Sequence, residues 1–268
     1  MKWIKRLFRF YIQSSIHVSL AVTALAGVTN LHFEVPVDPN LLLFIFFGTA
    51  VGYNFVKYAG VANLHHLIQT KNLQAIRLFS LVCFAGMVYF AFQLSFDVLI
   101  AGAFFGLLTI LYALPIFRAV NLRSLKGAKI FVIALVWAGS TVILPLMEIQ
   151  NLFMRDAVLE FIQRFLFVIA LMLPFEIRDL KYDLSELKTI PQSIGISRTR
   201  WFGAGLMILI LMLQMVKIAS TDRQLIALFS ISVITTFMIF ISRTDQPKYF
   251  AAFWVESIPI FWWVLLVA

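Results

Sequence analysis

Runs of mostly apolar residues long enough to cross a hydrocarbon core, about 20 residues as helix, recur nine times along the chain: 10–29, 40–58, 76–94, 96–117, 128–147, 157–177, 201–218, 223–242 and 249–267. The polar segments between them are short, and the two longest, 59–75 and 178–200, are too short for a separate soluble unit. The pattern predicts an all-α integral membrane protein of about nine transmembrane helices, with residues 1–268 as a single bundle. Internal repeats and low-complexity segments are absent. The start, Met1-Lys2-Trp3-Ile4-Lys5-Arg6 followed by an apolar run, has the form of a secretory signal peptide. The length of that run, and Gln13 and His17 within it, predict a retained first helix instead.

Composition sharpens the class. The chain is 62% apolar and 13% charged, where a soluble domain carries about 45–50% and about 25%. Mean hydropathy is +0.93. A soluble or disordered protein is excluded. The single cysteine, Cys83, rules out an internal disulfide. The net charge of +9 sits in short loops, so it is read as membrane orientation rather than as a nucleic-acid surface. With the N-terminus inside, 18 of the 22 basic residues fall on the inner side, and only Arg155, Arg164, Lys217 and Arg223 fall at outer ends. This predicts an N-in, C-out topology with both longer polar loops in the cytoplasm; the location expected for such a protein is a bacterial-type inner (plasma) membrane.

The segment Leu173–Glu186 carries the most chemistry. On a helix at 100° per residue, with Glu176 at the origin, Asp179, Asp183 and Glu186 fall within an arc of about 80°. Arg178, Lys181 and Lys188 fall on the other side, so the spacing segregates the signs. Like charges about 6 Å apart at an effective dielectric near 20 repel by roughly 3 kcal/mol per pair. If half buried, such a face calls for a cation, and hard oxygen donors select Mg²⁺ or Ca²⁺. The alternative is an amphipathic stub whose acids are solvated.

This segment resembles the second aspartate-rich motif of the UbiA-type intramembrane prenyltransferases. That pattern is an acid, two residues, Asp, three residues and Asp, then a Thr-x-Pro-like turn and a Gly. Here it is Glu176, Asp179, Asp183, Thr189-Ile190-Pro191 and Gly195. A second similarity is Tyr112-Ala113-Leu114-Pro115-Ile116-Phe117-Arg118, like the family's Tyr-x-x-Pro followed by a basic residue; Lys126 and Lys129 continue it. The family's first motif, Asn-Asp-x-x-Asp-x-x-x-Asp, falls on Tyr53–Ala62, where Asn54 is kept and Phe55, Tyr58 and Ala62 stand at the aspartate positions. Lys57 lies at i+3 from Asn54. It either supplies the positive charge of a lost second metal or snorkels to the interface.

The resemblance implies Mg²⁺-dependent transfer of an isoprenyl group from a prenyl diphosphate to a lipophilic acceptor, of aromatic or quinone-precursor type. It implies Glu176, Asp179 and Asp183 as metal ligands, Tyr112, Arg118 and Lys129 as catalytic residues, and Asn54, Lys57, Arg118, Lys126 and Lys129 as substrate-binding residues. Tyr112 is the expected aromatic face for the carbocation, with Tyr182 and Tyr58 weaker choices. Gln13 and His17 could reach the cavity or bond a neighbouring helix. Glu256, inside the ninth run, is expected near the outer interface or bonded internally. His65 and His66 are adjacent and share no helical face, and 148–156 reads as an ordinary outer loop. Two other readings compete: a non-catalytic isoprenoid- or lipid-binding relative, and a small transporter. The transporter predicts paired repeats and charges near mid-membrane.

Overall fold

The computed structural model describes residues 2–58, 73–114, 127–147, 155–183, 187–218 and 220–268. The described residues form helices and turns: α1 (Lys2–Gln13), α2 (Ile16–His32), α3 (Pro39–Tyr58), α4 (Leu73–Ala91), α5 (Phe96–Ala113), α6 (Ala128–Met147), α7 (Arg155–Asp179), the short α8 (Ile190–Ile194), α9 (Ile196–Val216), α10 (Asp222–Ile241) and α11 (Phe250–Val267). Eight are long and apolar enough to cross a membrane, and the bent pair α1–α2 makes a ninth. The protein is an integral, multi-pass membrane bundle.

Local sequence explains several ends. Asp38 begins α3 by accepting a bond from Asn40 N at 2.9 Å, and Pro39 fills a first-turn position whose N–H has no helical partner. Thr221 and Gln224 form a reciprocal capping box on α10, and on α8 Gln192 Oε1 accepts from Thr189 N at 3.0 Å. Gly195, at φ 79°, separates α8 from α9.

The first predicted span is not one straight helix. It breaks at Ser14–Ser15 with a 54° bend, and Ser15 takes a left-handed conformation at φ 66°. A break strands main-chain carbonyls, and the end of α3 satisfies them. Tyr58 donates to Gln13 O at 2.9 Å and Asn54 Nδ2 donates to Ser14 O at 3.0 Å. The preceding α1 is amphipathic, with Lys5, Arg6 and Arg9 on one face and exposed Trp3, Ile4 and Leu7 on the other. This is the form of a helix lying in the membrane interface.

α7 is the core helix. It packs against α6 and α9 and buries most of its length, while α2 packs between α3 and α11. α4 lies on α3 and buries only Ile76 and Cys83, so most of its surface is left to lipid. α6 contains a π-helical segment, Gly139–Ile143. There the Phe105 ring lies so close to Gly139 that a Cβ would stand 2.1 Å from it.

Candidate active site

A chamber of about 520 Å³ runs inside the bundle between α3, α5, α6 and α7. Phe44, Phe105, Val132, Val136 and Met172 contribute apolar wall. Its other end is polar and is built from Lys57 of α3, Tyr112 of α5, Lys129 of α6, and Arg178, Asp179, Tyr182 and Asp183 at the end of α7. Tyr53 and Trp137 form a step in the wall, the indole donating to the Tyr53 hydroxyl at 2.9 Å.

The acidic segment does not continue as a helix. α7 ends at Asp179, whose carbonyl accepts from the N–H groups of both Tyr182 and Asp183 at 2.8 Å. That turn changes the charge pattern expected from an ideal helix. Arg178, placed on the opposite face by spacing, instead grips Asp179 through two bonds, Nε–Oδ1 at 2.7 Å and a second guanidinium nitrogen to Oδ2 at 3.1 Å. Lys129 stands between Glu176 Oε1 at 3.0 Å and Asp183 Oδ2 at 3.2 Å. The signs are paired, not segregated. Gly127 N donates to Leu187 O at 2.8 Å, which ties the start of α6 to the loop after Asp183.

Among the residues expected at the site, Lys57, Tyr112, Lys129, Asp179 and Asp183 line the chamber. Glu176 is buried at 2% exposure and contacts Lys129. Asn54 is not on the chamber wall. Its side chain bonds Ser14 O, Ser80 Oγ and Ser15 Oγ and so holds the α1–α2 break. Ser15 Oγ also accepts from Lys57 Nζ at 2.9 Å, so one serine joins the kept asparagine to the chamber lysine. Arg118, Lys126, Glu186, His65 and His66 lie outside the described residues. His17 bonds Tyr11, Phe253 O and Ser257, which fastens α2 to α1 and α11. Sequence reasoning did not assign Arg178, Tyr53 or Trp137 to the site, although each lies in or near the two motifs.

Among the described residues, no three His, Cys, Asp or Glu side chains are grouped as a metal site. The carboxylates on the chamber wall are those of Asp179 and Asp183. Two carboxylates fit a Mg²⁺ ion that takes its remaining ligands from water and substrate phosphates. Glu176 is held by Lys129.

The chain has the fold of the UbiA-type intramembrane prenyltransferases. It is similar to the structure of a UbiA homolog from Archaeoglobus fulgidus bound to GPP and Mg²⁺, at 13% identity and a TM-score of 0.69, over 96% of this chain and 98% of that one. It is also similar to another structure described as a UbiA homolog from Archaeoglobus fulgidus (14% identity, TM-score 0.64, 100% of this chain and 98% of that one). The third similarity is to a structure of digeranylgeranylglyceryl phosphate synthase (13%, TM-score 0.60, 98% of each chain). No family model and no curated protein matches the chain.

Proposed function

We propose that the protein transfers an isoprenyl group from a prenyl diphosphate to a lipophilic acceptor. The observation that carries this reading is the meeting of Lys57, Lys129, Arg178, Asp179 and Asp183, from three helices, at one end of an otherwise apolar chamber. The tail would occupy the apolar part and the diphosphate the charged end. The A. fulgidus homolog's GPP and Mg²⁺ support the same class of donor.

In this mechanism the allylic C–O bond breaks and its electron pair stays on the diphosphate oxygen. Lys57, Lys129 and Arg178 stabilise that developing charge from fixed positions. The carbocation is shielded from water by the apolar wall and faces Tyr112 and Tyr53. A nucleophilic atom of the acceptor then forms the new bond and releases its proton. Asp179 and Asp183 would hold Mg²⁺, which supplies further positive charge to the leaving group. Phe55 and Tyr58 offer no carboxylate where the family's first motif has aspartates, so the reading takes Lys57 as the second positive centre. The distribution of Lys and Arg supports placing this end on the cytoplasmic side of the membrane.

The test is pyrophosphate release by the purified full chain with Mg²⁺, a set of prenyl diphosphates and aromatic acceptors. Asp179→Asn and Asp183→Asn are each expected to lower the rate by about 10²-fold or more, with the folded yield unchanged. The pairing of both aspartates with protein cations also favours a second reading, a binder of isoprenoid diphosphates. Saturable binding without turnover of any donor would establish that reading and reject the enzyme.

A further inference from the structure

The break between α1 and α2 reaches the charged end of the chamber through one side chain. Ser15 sits there at φ 66°, a left-handed conformation that glycine takes at no steric cost and that other residues adopt uncommonly. Backbone geometry alone therefore favours glycine at this position. What serine adds is a hydroxyl, fully buried, with two partners on α3. Its oxygen lies 2.8 Å from Asn54 Oδ1 and 2.9 Å from Lys57 Nζ.

The direction of the bonds in this cluster is set by their partners. Ser80 of α4 spends its proton on Ile76 O at 2.8 Å, so towards Asn54 its oxygen can only accept. Ser14 O is a carbonyl and can only accept. Asn54 bonds both, at 2.9 and 3.0 Å, so its amide nitrogen is the end that meets them. Its Oδ1 is thereby turned to Ser15 and takes the hydroxyl proton. The lone pairs left on Ser15 Oγ meet a donor, the Lys57 ammonium. The ring of Tyr53, a residue of the chamber wall, lies 5.6 Å from the same ammonium. Lysine is a flexible side chain, and an anion that has to order it loses affinity in doing so. Here the ordering is done in advance by a neutral oxygen, which does not cancel the charge.

We propose that Ser15 is a positioning residue for the diphosphate end of the chamber: its hydroxyl, oriented by Asn54, holds the Lys57 ammonium on the wall before substrate arrives. The proposal rests on the prenyl diphosphate reading for what Lys57 meets, but the Ser15–Lys57 contact is tested independently of it. The asparagine kept from the family's first motif then acts on the site through Ser15 and Lys57, without touching substrate.

The experiment uses the purified full chain in detergent, with inorganic pyrophosphate and Mg²⁺ as the probe. Ser15→Gly removes the hydroxyl and suits the backbone, so the chain should stay folded. Lys57→Met should weaken pyrophosphate binding about tenfold, and Ser15→Gly about fivefold, the order of effect of releasing one long side chain. Added to Lys57→Met, Ser15→Gly should change the affinity no further, because the serine acts through the lysine. A serine that merely shapes the break would weaken the Lys57→Met protein by the same factor as the parent. That result, or unchanged binding by either single variant, overturns the proposal. Thermal midpoints of the same four proteins test the contact without any ligand. Ser15→Gly deprives the ammonium of its acceptor, so it should lower the midpoint less when residue 57 is already Met; additive shifts overturn the contact. If the unaltered protein binds no pyrophosphate, the diphosphate role falls together with the proposed function, and the midpoints still decide whether Ser15 holds Lys57.

Discussion

The strongest test of the fold's energetics lies at the far end of α7, where Glu160 is buried at 1% exposure beneath three positive or potentially positive groups. Arg164 donates to its Oε1 at 2.6 Å, while His32 Nδ1 at 2.9 Å and the Lys217 ammonium share Oε2. Arg164 itself is fully buried, donates to Leu25 O at 2.6 Å and lies 5.2 Å from the Trp262 ring. Replacing Glu160 with Gln keeps the shape but leaves two ammonium or guanidinium charges without an acid. Removing one member of a buried ionic group costs about 3–5 kcal/mol. The lower value, about 3 kcal/mol, is taken because a membrane chain finds other partners when unfolded. For a chain of this size each kcal/mol moves the midpoint by about 2–4 °C, so the expected fall is about 6–12 °C. Tryptophan fluorescence in detergent reads it directly, because Trp262 borders the cluster. The order of the variants is as informative as the size. Glu160→Gln should cost most. Arg164→Met should cost less, since Glu160 keeps Lys217. Lys217→Met should cost least, since it leaves one acid facing one arginine, and Lys217 lies just beyond the end of α9. A midpoint for Glu160→Gln within 2 °C (about 1 kcal/mol or less) of the parent, or Lys217→Met costing the most, would refute the reasoning.

Two further outcomes are expected. Gly139→Ala places a methyl group 2.1 Å from the Phe105 ring, an overpacking worth about 1–3 kcal/mol. Phe105 also lines the chamber, so relief by turning the ring shortens it, and KM should rise more for long-chain than for short-chain donors; an unchanged midpoint with unchanged chain-length preference contradicts this. Lys129→Met leaves Glu176 and Asp183 without their shared cation, so the midpoint should fall by several degrees and pyrophosphate release by about 10²-fold. Adding Glu176→Gln should return the stability but not the turnover, and a double variant that regains both would show that Lys129 serves folding alone.

What the sequence made legible follows from which physical signal is local. The spans are readable because each is an unbroken apolar run, and the acid spacing at Glu176, Asp179 and Asp183 is readable because it lies within one segment. The break at Ser14–Ser15 is not, since its cause is the end of α3: Asn54 and Tyr58 accept the strain by bonding the freed carbonyls. For the same reason Asn54, read as a substrate contact, turns out to serve the bend. Arg178 was hidden by the ideal-helix assumption, which fails where α7 ends at Asp179. Glu160 and Arg164 stand four residues apart and are visible as a pair. Their burial with His32 and Lys217 depends on α2 and α9, more than a hundred and about fifty residues away.

The charged end of the chamber is self-satisfied as it stands, and this bears on how it could work. Lys129 is engaged by Glu176 and Asp183, and Arg178 by Asp179. Under the proposed function, an entering diphosphate therefore could not simply add to free cations; Lys129 and Arg178 would have to exchange a carboxylate for a phosphate oxygen. The exchange is favourable only if the released acids find another positive partner, and Asp179 and Asp183, facing the chamber, are the two so released. Glu176, at 2% exposure, cannot reach solvent and stays with Lys129, which keeps the lysine anchored through the exchange. Lys57 differs, because Ser15 holds it by a neutral oxygen and it can turn to an anion without abandoning an acid in contact. Under the proposed function, the α3 cation is thus the one already prepared to meet a diphosphate, and the α6 and α7 cations would follow by partner exchange.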